Sequence, residues 1–367
     1  MNPHFEPGDE RFKDPHGHSR RQFLKSGLCG GAALLATPYV GPLSCGDGSL
    51  SATPHSQSTP AARVALTTGN DRTDMTFQAL RQFQTEIAAG IGNKQVVIKP
   101  NNVSTDVPLC ATHAGNLEAI LEFLKSIGKA RNVMIAESGA GGSTLDGFAN
   151  YGYDRVAARY GARLVELDKT ETEVVGCLDE RDMRPHPTRV ARLLMDPNVY
   201  VISATKLKTH DTVVATLSLK NIVMGAPIKA PVNGANRSDK RLVHGGGVWA
   251  LNYNLAALAP RLHPHLAVID GYEGMEGNGP VRGSRVDHRV CIVSPDWLAA
   301  DRVGIELMGI DFANVGYLNY CAQYSGLGVA DLDRIEILGP ALAEHIVKYR
   351  MPDSIDSQLR WRQPIRG

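Results

Sequence analysis

The sequence predicts an α/β fold: a mostly parallel sheet flanked by helices, with the functional site at the carboxyl ends of the strands. Three observations support this prediction. Short apolar runs alternate along the chain with segments of helical periodicity. These runs are apolar at almost every position, as in strands that helices cover on both faces. Several runs end in a polar cluster, and open parallel sheets bind ligands beyond the carboxyl ends of their strands.

The elements follow one another in the order of βαβ units. Strands are predicted at 64–66, 95–98, 133–136, 163–165, 199–202, 266–269 and 290–293. Helices are predicted up to about residue 87, and at 115–127, 153–160, 213–224 and 297–308. The helix at 213–224 should end near Gly225, since Pro227 lies just beyond. Segment 225–247 is rich in glycine, proline, asparagine and lysine, which indicates a long loop of the kind that forms lids and binding sites.

Composition excludes several classes of function. The 367 residues carry 39 basic and 38 acidic side chains, a formal net charge of +1, so the chain lacks the basic excess of nucleic-acid binders. Aromatic residues make up 6%, which disfavours a stacking platform for single strands. The apolar share of 43% is that of a globular protein. The sequence has no run of about 18 apolar residues, so no transmembrane span is expected.

The beginning of the chain has the features of an export signal. Segment 19–25 matches the twin-arginine signal, S/T-R-R-x-F-L-K, at every position, and a weakly apolar stretch follows it. The expected partner is therefore the twin-arginine translocase, and the expected location is periplasmic or extracellular. The alternative is a chance pair of arginines. The predicted organisation is a signal segment at 1–45, a flexible tether at 46–61, the α/β domain at 62–345 and a C-terminal tail at 346–367.

The cysteines suggest neither a metal centre nor a fixed disulfide pattern. A lipid anchor at Cys45 is less favoured than ordinary cleavage nearby, because Pro42 stands where a lipoprotein site needs an aliphatic residue. The other cysteines of the mature chain are scattered, with no C-x-x-C pair, so an iron–sulfur cluster is not expected. Disulfides and buried free thiols both stay open for these four, Cys110, Cys177, Cys291 and Cys321.

Polar clusters follow four of the predicted strands. Lys99 and Asn101 follow the strand at 95–98, and Glu137 follows the strand at 133–136. The strand at 199–202 leads to segment 206–210, and the strand at 266–269 leads to segment 270–280. Because parallel strands end at one edge of a sheet, these clusters should converge there.

Segment 206–210 contains three alternating basic residues, Lys206, Lys208 and His210. If the segment is extended, they share one face at steps of about 6.6 Å, an arrangement that suits a carboxylate or a phosphate. The alternative is a solvated edge, where lysines discourage aggregation.

Lys220 and Asn221 lie within the otherwise apolar segment 213–224. Lys220 either extends its ammonium to water or is partly desolvated. Desolvation would lower the pKa of Lys220 and make it a base or an amine nucleophile.

Segments 273–280 and 137–142 are rich in glycine. The first can present backbone N–H groups to an anion, bring Glu273, Glu276 and Asn278 to a cation, or form a plain tight turn. The second has the composition of a phosphate cradle but not the residue order of a known motif.

Three further residues have two interpretations each. His113 precedes a helix and is either a cap or a ligand. His244 stands beside three glycines and is either a lid histidine or part of a hinge. Asp301 lies early in a helix, where it serves either the helix dipole or the chemistry.

Taken together, these residues resemble one family. Segments 97–101, 112–113, 137–138, 206–210, 218–221, 270–271, 276–280 and 296–301 stand in the order expected of the family catalogued as domain of unknown function 362. The resemblance covers roughly residues 62–340 and implies an α/β domain with a shared polar constellation, but no particular reaction. Some members carry a ferredoxin-like cysteine insertion, which this sequence lacks. The constellation is also loosely similar, by analogy alone, to nickel-pincer lactate racemases, in which lysine and histidine hold cofactor and substrate.

The function that we expect is that of an exported enzyme acting on a small anion, with a divalent metal as a candidate cofactor. The candidate catalytic residues are Glu137, His210, Lys220 and His244, with a histidine pKa near the working pH. Candidate contacts for the anion are Lys99, Asn101, His113, Lys206, Lys208, Asn221 and Asn278. Candidate metal ligands are Asp270, Glu276 and Asp301. The alternatives are a non-catalytic periplasmic protein that binds a ligand or cofactor, and an accessory protein for redox or cofactor assembly.

Overall fold

The computed structural model describes residues 61–229, 231–232, 235–324 and 326–364. The expected export signal at 19–25, Cys45 and the tether up to residue 60 lie outside the described residues. The strands are β1 (Ala62–Thr68), β2 (Gln95–Lys99), β3 (Met134–Glu137), β4 (Arg163–Glu166), β5 (Thr172–Asp179), β6 (Arg184–Ala191), β7 (Val199–His210), β8 (Val214–Thr216), β9 (Pro231–Val232), β10 (Ala235–Ser238), β11 (Leu266–Asn278), β12 (Arg282–Val286), β13 (Val290–Ser294) and β14 (Ile335–Leu338). The α-helices are α1 (Arg72–Arg81), α2 (Gln84–Ile91), α3 (Ala114–Ser126), α4 (Thr144–Asn150), α5 (Tyr153–Tyr160), α6 (Ser218–Gly225), α7 (Asp239–His244), α8 (Val248–Leu258), α9 (Trp297–Leu307), α10 (Gly316–Ala322) and α11 (Ile355–Gln358).

Ten of the described strands form one mixed sheet, and eight of these follow the order β14-β1-β13-β11-β7-β2-β3-β4. Along this path, β13 runs antiparallel to its neighbours β1 and β11, and the other pairs are parallel. Strands β8 and β12 extend the sheet as antiparallel partners of β7 and β11. The predicted α/β fold with a mostly parallel sheet is therefore confirmed.

Helices cover both faces of the sheet, which explains why its strands are apolar throughout. In β7, Ile202 belongs to the apolar cluster that includes α1, α3 and α5. Its neighbour Val201 points the other way and joins the cluster that includes α6, α8 and α9. A separate hairpin of β5 and β6 packs on α8, where the side-chain amide of Asn254 bonds both backbone groups of Leu178 at 2.8 Å.

Two central strands are much longer than predicted. Strand β7 stays extended as far as His210 and is buried along its whole length. Strand β11 continues to Asn278, so most of the glycine-rich segment 273–280 is strand and not a tight turn. The prediction was wrong because β12 pairs with this glycine-rich stretch from Gly274 to Asn278 and supplies the ladder partners that local composition does not reveal.

Segment 225–247 is not the predicted long loop, since it contains β9, β10 and α7. Helix α7 begins after Ser238, whose side chain accepts a hydrogen bond from the N–H of Arg241. The predicted helix at 213–224 is also shorter than expected. It begins at Ser218 because residues 214–216 pair with β7 as β8.

Residues 346–364 pack against the same domain. Tyr349 is buried, and its N–H donates to the carbonyl of Met308 at 2.9 Å. The indole N–H of Trp361 donates to the carbonyl of Asn314 at 3.1 Å.

The four cysteines that the structure describes, Cys110, Cys177, Cys291 and Cys321, are all buried free thiols. In the described part of the chain, no helix has the length and apolar character needed to cross a membrane.

Candidate functional site

A cavity of about 650 Å³ opens at the carboxyl ends of β2, β3 and β7. Lys99 ends β2, Glu137 ends β3 and His210 ends β7, and all three side chains line the cavity. Helices α6 and α7 form another wall, with Lys220 from α6 and His244 from α7. The parallel strand order therefore brings together side chains that lie far apart in the sequence.

Lys99 and Glu137 form a buried ion pair in this cavity. The Lys99 Nζ atom lies 2.7 Å from Glu137 Oε1 and also donates to the carbonyl of Pro100 at 2.7 Å. Burial lowers the pKa of Lys99, and Glu137 opposes that shift. The other carboxylate oxygen of Glu137 accepts from the N–H of Asn102 at 2.8 Å, so Glu137 also orders the chain beyond β2.

Asn221 connects Lys99 to the neighbouring strands. Its Oδ1 atom accepts from Lys99 Nζ at 3.3 Å and from Asn101 Nδ2 at 3.0 Å. Its Nδ2 atom donates to the Lys99 carbonyl and to the Ser203 hydroxyl, both at 3.0 Å. Because every side-chain polar atom of Asn221 is used, this residue fixes α6 against the sheet.

Lys208 lies behind the cavity wall and does not line the cavity. Its ammonium donates to Asn101 Oδ1 and, at 2.9 Å, to the Cys110 carbonyl. Burial lowers the pKa of Lys208 to about 8. Lys208 therefore supports Asn101 and adds positive potential at the cavity wall.

Lys220 differs from these lysines in its contacts. Within the part of the chain that the structure describes, its ammonium makes no hydrogen bond and no ion pair, although the side chain is only 5% exposed. Burial, and then the charge of Lys208, lower the pKa of Lys220 to about 7. An amine in this state is neutral for a substantial fraction of the time at neutral pH.

Three further cations line the cavity, and the sequence analysis did not single them out. The ammonium of Lys240 donates to the carbonyls of Met224 at 2.8 Å and Gly225 at 3.2 Å. Burial lowers the pKa of Lys240 to about 8. Lys229 donates to the Gly142 carbonyl at 2.7 Å, and Arg241 is exposed at the mouth. All three come from segment 225–247, whose lysine content was the signal that could have identified them.

His210 and His244 face each other across the cavity floor. Their Nε2 atoms are 3.3 Å apart. The N–H of Thr212 donates to Nδ1 of His210 at 3.0 Å, so a neutral His210 carries its proton on Nε2. That proton points at Nε2 of His244, which must accept it. The N–H of Thr212 therefore sets the direction of this hydrogen bond, with His210 as the donor and His244 as the acceptor.

The expected histidine pKa near the working pH is not found in the structure. Burial lowers the pKa of His244 to about 4, and Lys220 adds to the effect. The pKa of His210 is well below its usual value for the same two reasons. Both imidazoles are thus neutral at neutral pH, whereas burial brings the pKa of Lys220 to about 7 and that of Lys240 to about 8.

Asn102 and Thr216 also line the cavity, and among the described residues the amide atoms of Asn102 and the hydroxyl of Thr216 have no hydrogen-bond partner. These atoms are closed to solvent, and the amide of Asn102 packs against Gly147 of α4. They therefore do not count among the groups that the cavity offers to a ligand.

The glycine-rich segment 137–142 contributes less than a phosphate cradle would. The N–H of Gly139 donates to the Thr144 hydroxyl at 3.1 Å, and that of Gly141 donates to the Val103 carbonyl at 3.0 Å. These donors are already bonded within the protein, so the side-chain cations are the stronger candidates for holding an anion.

Several predicted site residues lie away from the cavity. His113 caps α3, since its Nδ1 accepts from the N–H of Gly115 at 3.0 Å. Lys206 pairs in register with Asp270 across β7 and β11. Asn278 does not face the cavity either, because its amide bonds Asp353 at 2.8 and 2.9 Å.

The three candidate metal ligands are not brought together. Asp270 lies 3.0 Å from Arg72 Nε in a buried ion pair. Glu276 accepts from the N–H of Arg350 at 2.9 Å. Asp301 caps α6, where it accepts from the N–H of Ser218 at 2.8 Å, and burial raises its pKa to about 7. Each carboxylate therefore has a structural partner of its own.

A different group, His210, Asp211 and His244, offers ligand atoms that lie within 4.8 Å of one another. Its contacts suit a metal poorly. Nε2 of His210 faces His244, whereas the Asp211 carboxylate lies 3.5 Å from Nδ1, on another side of the same ring. Nδ1 already accepts from the backbone and Nε2 carries the proton, so neither nitrogen offers a free lone pair. These contacts favour a proton-transfer pair.

Comparisons with known proteins give three matches. The profile of a family described as "Domain of unknown function (DUF362)" matches residues 96–306. A thylakoid-associated protein of Synechocystis sp. is 25% identical over 237 residues, which are 63% of this chain and 69% of that protein. A crystal structure of a protein from Thermotoga maritima aligns with 66% of this chain and 60% of that chain, at 14% identity and a TM-score of 0.39. This chain thus spans less than two thirds of the length of that solved protein.

Proposed function

We propose that this chain, which belongs to the family described as domain of unknown function 362, is an exported enzyme that binds a small carboxylate or phosphate anion in the basic cavity. The observation that carries this proposal is the imbalance of charge in the cavity. Among the described residues that line it, Glu137 is the one carboxylate, and Lys99 already pairs with it. Lys220, Lys229, Lys240 and Arg241 are left without a carboxylate in the cavity, so an anion from outside would complete the site.

Binding is tested by calorimetric titration with inorganic phosphate, acetate and malonate. The double variant Lys229→Gln, Arg241→Gln removes two cations at the mouth of the cavity, where it opens to solvent. It leaves the buried hydrogen bonds of Lys99, Glu137 and Asn221 in place. We expect its affinity for the best of these anions to fall at least tenfold, roughly 1.4 kcal/mol. The control is Lys125→Met, at a lysine whose side chain is 66% exposed, and it should bind like the parent. Equal affinity in all three proteins would reject the cavity as the anion site.

Catalysis requires acid–base groups, and Lys220 with the histidine pair supplies them. For carboxylate ligands, turnover is sought as exchange of carbon-bound hydrogen in D₂O, and for phosphate esters as release of phosphate. His210→Asn should retain anion binding and lose at least a hundredfold in turnover, as expected for removal of one acid–base group. A variant that turns over at the parent rate would exclude His210 from the chemistry.

One observation favours the alternative of a non-catalytic binding protein. Both histidines are neutral near pH 7, because their pKa values are lowered by burial and by Lys220. Under that alternative, tight anion binding would be accompanied by no exchange and no hydrolysis of any ligand that binds.

Export by the twin-arginine translocase is part of the proposal and is supported by the motif at 19–25. Mass spectrometry of the periplasmic fraction would give the mature N-terminus and would show whether Cys45 carries a lipid. Replacing Arg20 and Arg21 by lysine should keep the full-length chain in the cytoplasm. Normal processing of that variant would contradict the proposed route.

A further inference from the structure

Lys220 stands out from the other buried lysines in this part of the fold. Lys99, Lys208 and Lys240 each direct their ammonium group to oxygen acceptors of the protein. In the described part of the chain, Lys220 has no such acceptor, and its side chain lines the cavity. It is therefore a buried amine on the cavity wall that has no partner among the described residues.

The surroundings of Lys220 favour the neutral amine over the ammonium ion. Burial and the charges of Lys208 and Lys240 lower the pKa of Lys220, and the Asp211 carboxylate opposes this shift only in part. A lysine that merely held an anion would gain nothing from losing its own charge. The same surroundings do make the nitrogen lone pair available, which is what a nucleophilic lysine needs.

We propose that Lys220 condenses with the carbonyl carbon of a small 2-oxo acid to form an imine. This inference rests on the proposed function, and it names both the substrate class and the attacking atom. The cations of the mouth, Lys229 and Arg241, would hold the carboxylate, and the carbonyl group would be presented to Nζ of Lys220.

The reaction needs no oxidant or reductant. The lone pair of the neutral amine forms the C–N bond, and the carbonyl oxygen takes a proton from the nitrogen. The C–O bond of this carbinolamine then breaks, and the oxygen leaves as water with the second amine proton. Amine and 2-oxo acid therefore give imine and water. His210 and His244 line the same cavity as Lys220, so this proposal assigns the proton transfers to their imidazoles.

The test is reductive trapping of the mature full-length protein. Glyoxylate, pyruvate and 2-oxoglutarate are each added at pH 7.5 with sodium cyanoborohydride, which reduces the imine to a stable amine. Intact mass and peptide mapping then locate the adduct. We expect one adduct per chain, at Lys220, formed at least tenfold faster than at the exposed Lys125, because an ordinary lysine is almost fully protonated at this pH. Lys220→Arg should remove the adduct, and Lys125→Arg should leave it unchanged.

Phosphate titration of the same proteins separates the possible failures. If Lys220→Arg still binds phosphate and forms no adduct, the imine is supported, since the variant has kept its fold and its anion site. If the parent binds phosphate but none of the three acids is trapped, or if adducts are spread equally over surface lysines, the imine is rejected and anion binding stands. If neither phosphate nor any 2-oxo acid binds, both proposals fail.

Discussion

Gly225 lies directly against the side chain of Lys99. A Cβ atom built on Gly225 would be 2.2 Å from Cε and 2.7 Å from Nζ of Lys99. A side chain on this last residue of α6 would have to displace the end of Lys99, which is held in its buried ion pair with Glu137. A backbone position on the helix therefore controls an ion pair at the ends of β2 and β3.

Gly225→Ala should destabilise the protein. In an open helix position the same change would stabilise by about 0.5–1 kcal/mol. Here the added methyl displaces Lys99 from its buried partner, so we expect a loss of about 1–3 kcal/mol, measured by urea unfolding. In a background of Lys99→Ala with Glu137→Gln, the obstruction and the unpaired charge are both gone, and Gly225→Ala should cost nothing. An equal loss in both backgrounds would show that Lys99 is not the cause.

Asp301 connects the stability of α6 to anion binding. Its carboxylate accepts from Ser218 and from the N–H of Leu219 at 3.1 Å, at the start of the helix that carries Lys220. Asp301→Ala leaves these buried donors unsatisfied and should cost roughly 2–4 kcal/mol. Phosphate affinity should fall severalfold as well, because the first turn of α6 loses its anchor.

The control for Asp301 is another helix cap. Asp71 accepts from the N–H of Asp74 at the start of α1, away from the cavity. Asp71→Ala should lower stability by about 0.5–2 kcal/mol and leave phosphate affinity unchanged. If both variants weaken phosphate binding alike, the effect comes from general destabilisation.

Anion affinity should fall as the pH rises. The pKa of Lys220 is lowered to about 7, and those of Lys208 and Lys240 to about 8, so positive charge is lost from the site between pH 6.5 and 9. Because an anion favours the protonated lysines, binding must take up protons in this range. We expect roughly tenfold weaker binding for each charge lost, measured with an anion whose own charge is constant, such as sulfate.

Calorimetric titrations in two buffers of different ionisation enthalpy would measure how many protons are taken up when sulfate binds at pH 7.5. The Lys220→Met variant should bind sulfate more weakly. Its affinity should no longer fall near pH 7, whereas the fall near pH 8 should remain. Lys125→Met should show the parental profile. Affinity that is constant from pH 6.5 to 9 would mean that these lysines do not change charge on binding.

Much of the site could be predicted from the sequence, because a polar residue that directly follows an apolar run indicates the end of a strand. Lys99, Glu137 and His210 follow apolar runs, and parallel strands bring such ends to one edge. The sequence could not predict that Lys206, Lys208 and His210 would contact different parts of the fold. Their alternation gives one face of β7, but the strand is long enough that Lys206 meets Asp270 on β11 while His210 reaches the cavity.

The remaining errors also have physical causes. Lys240 and His244 lie on α7, a helix of six residues within a segment whose glycines and prolines favour a loop. The pKa of His244 depends on burial and on Lys220, neither of which is visible in local sequence. Asp301 was a candidate metal ligand, but a contact with Ser218, 83 positions away, makes it a helix cap.

Removal of divalent metals should leave anion binding intact. The lone pair on Nδ1 of His210 is used by Thr212, and Asp211 approaches that same nitrogen rather than the side that faces His244. A metal would have to break the backbone bond or shift the proton of Nε2, so we expect no stoichiometric zinc or nickel after purification. Dialysis against EDTA should change phosphate affinity by less than twofold, and Asp211→Asn should behave like the parent in elemental analysis. A metal bound at one per chain and lost in Asp211→Asn would contradict this, and it would mean that the imidazole of His210 reorients when the ion binds.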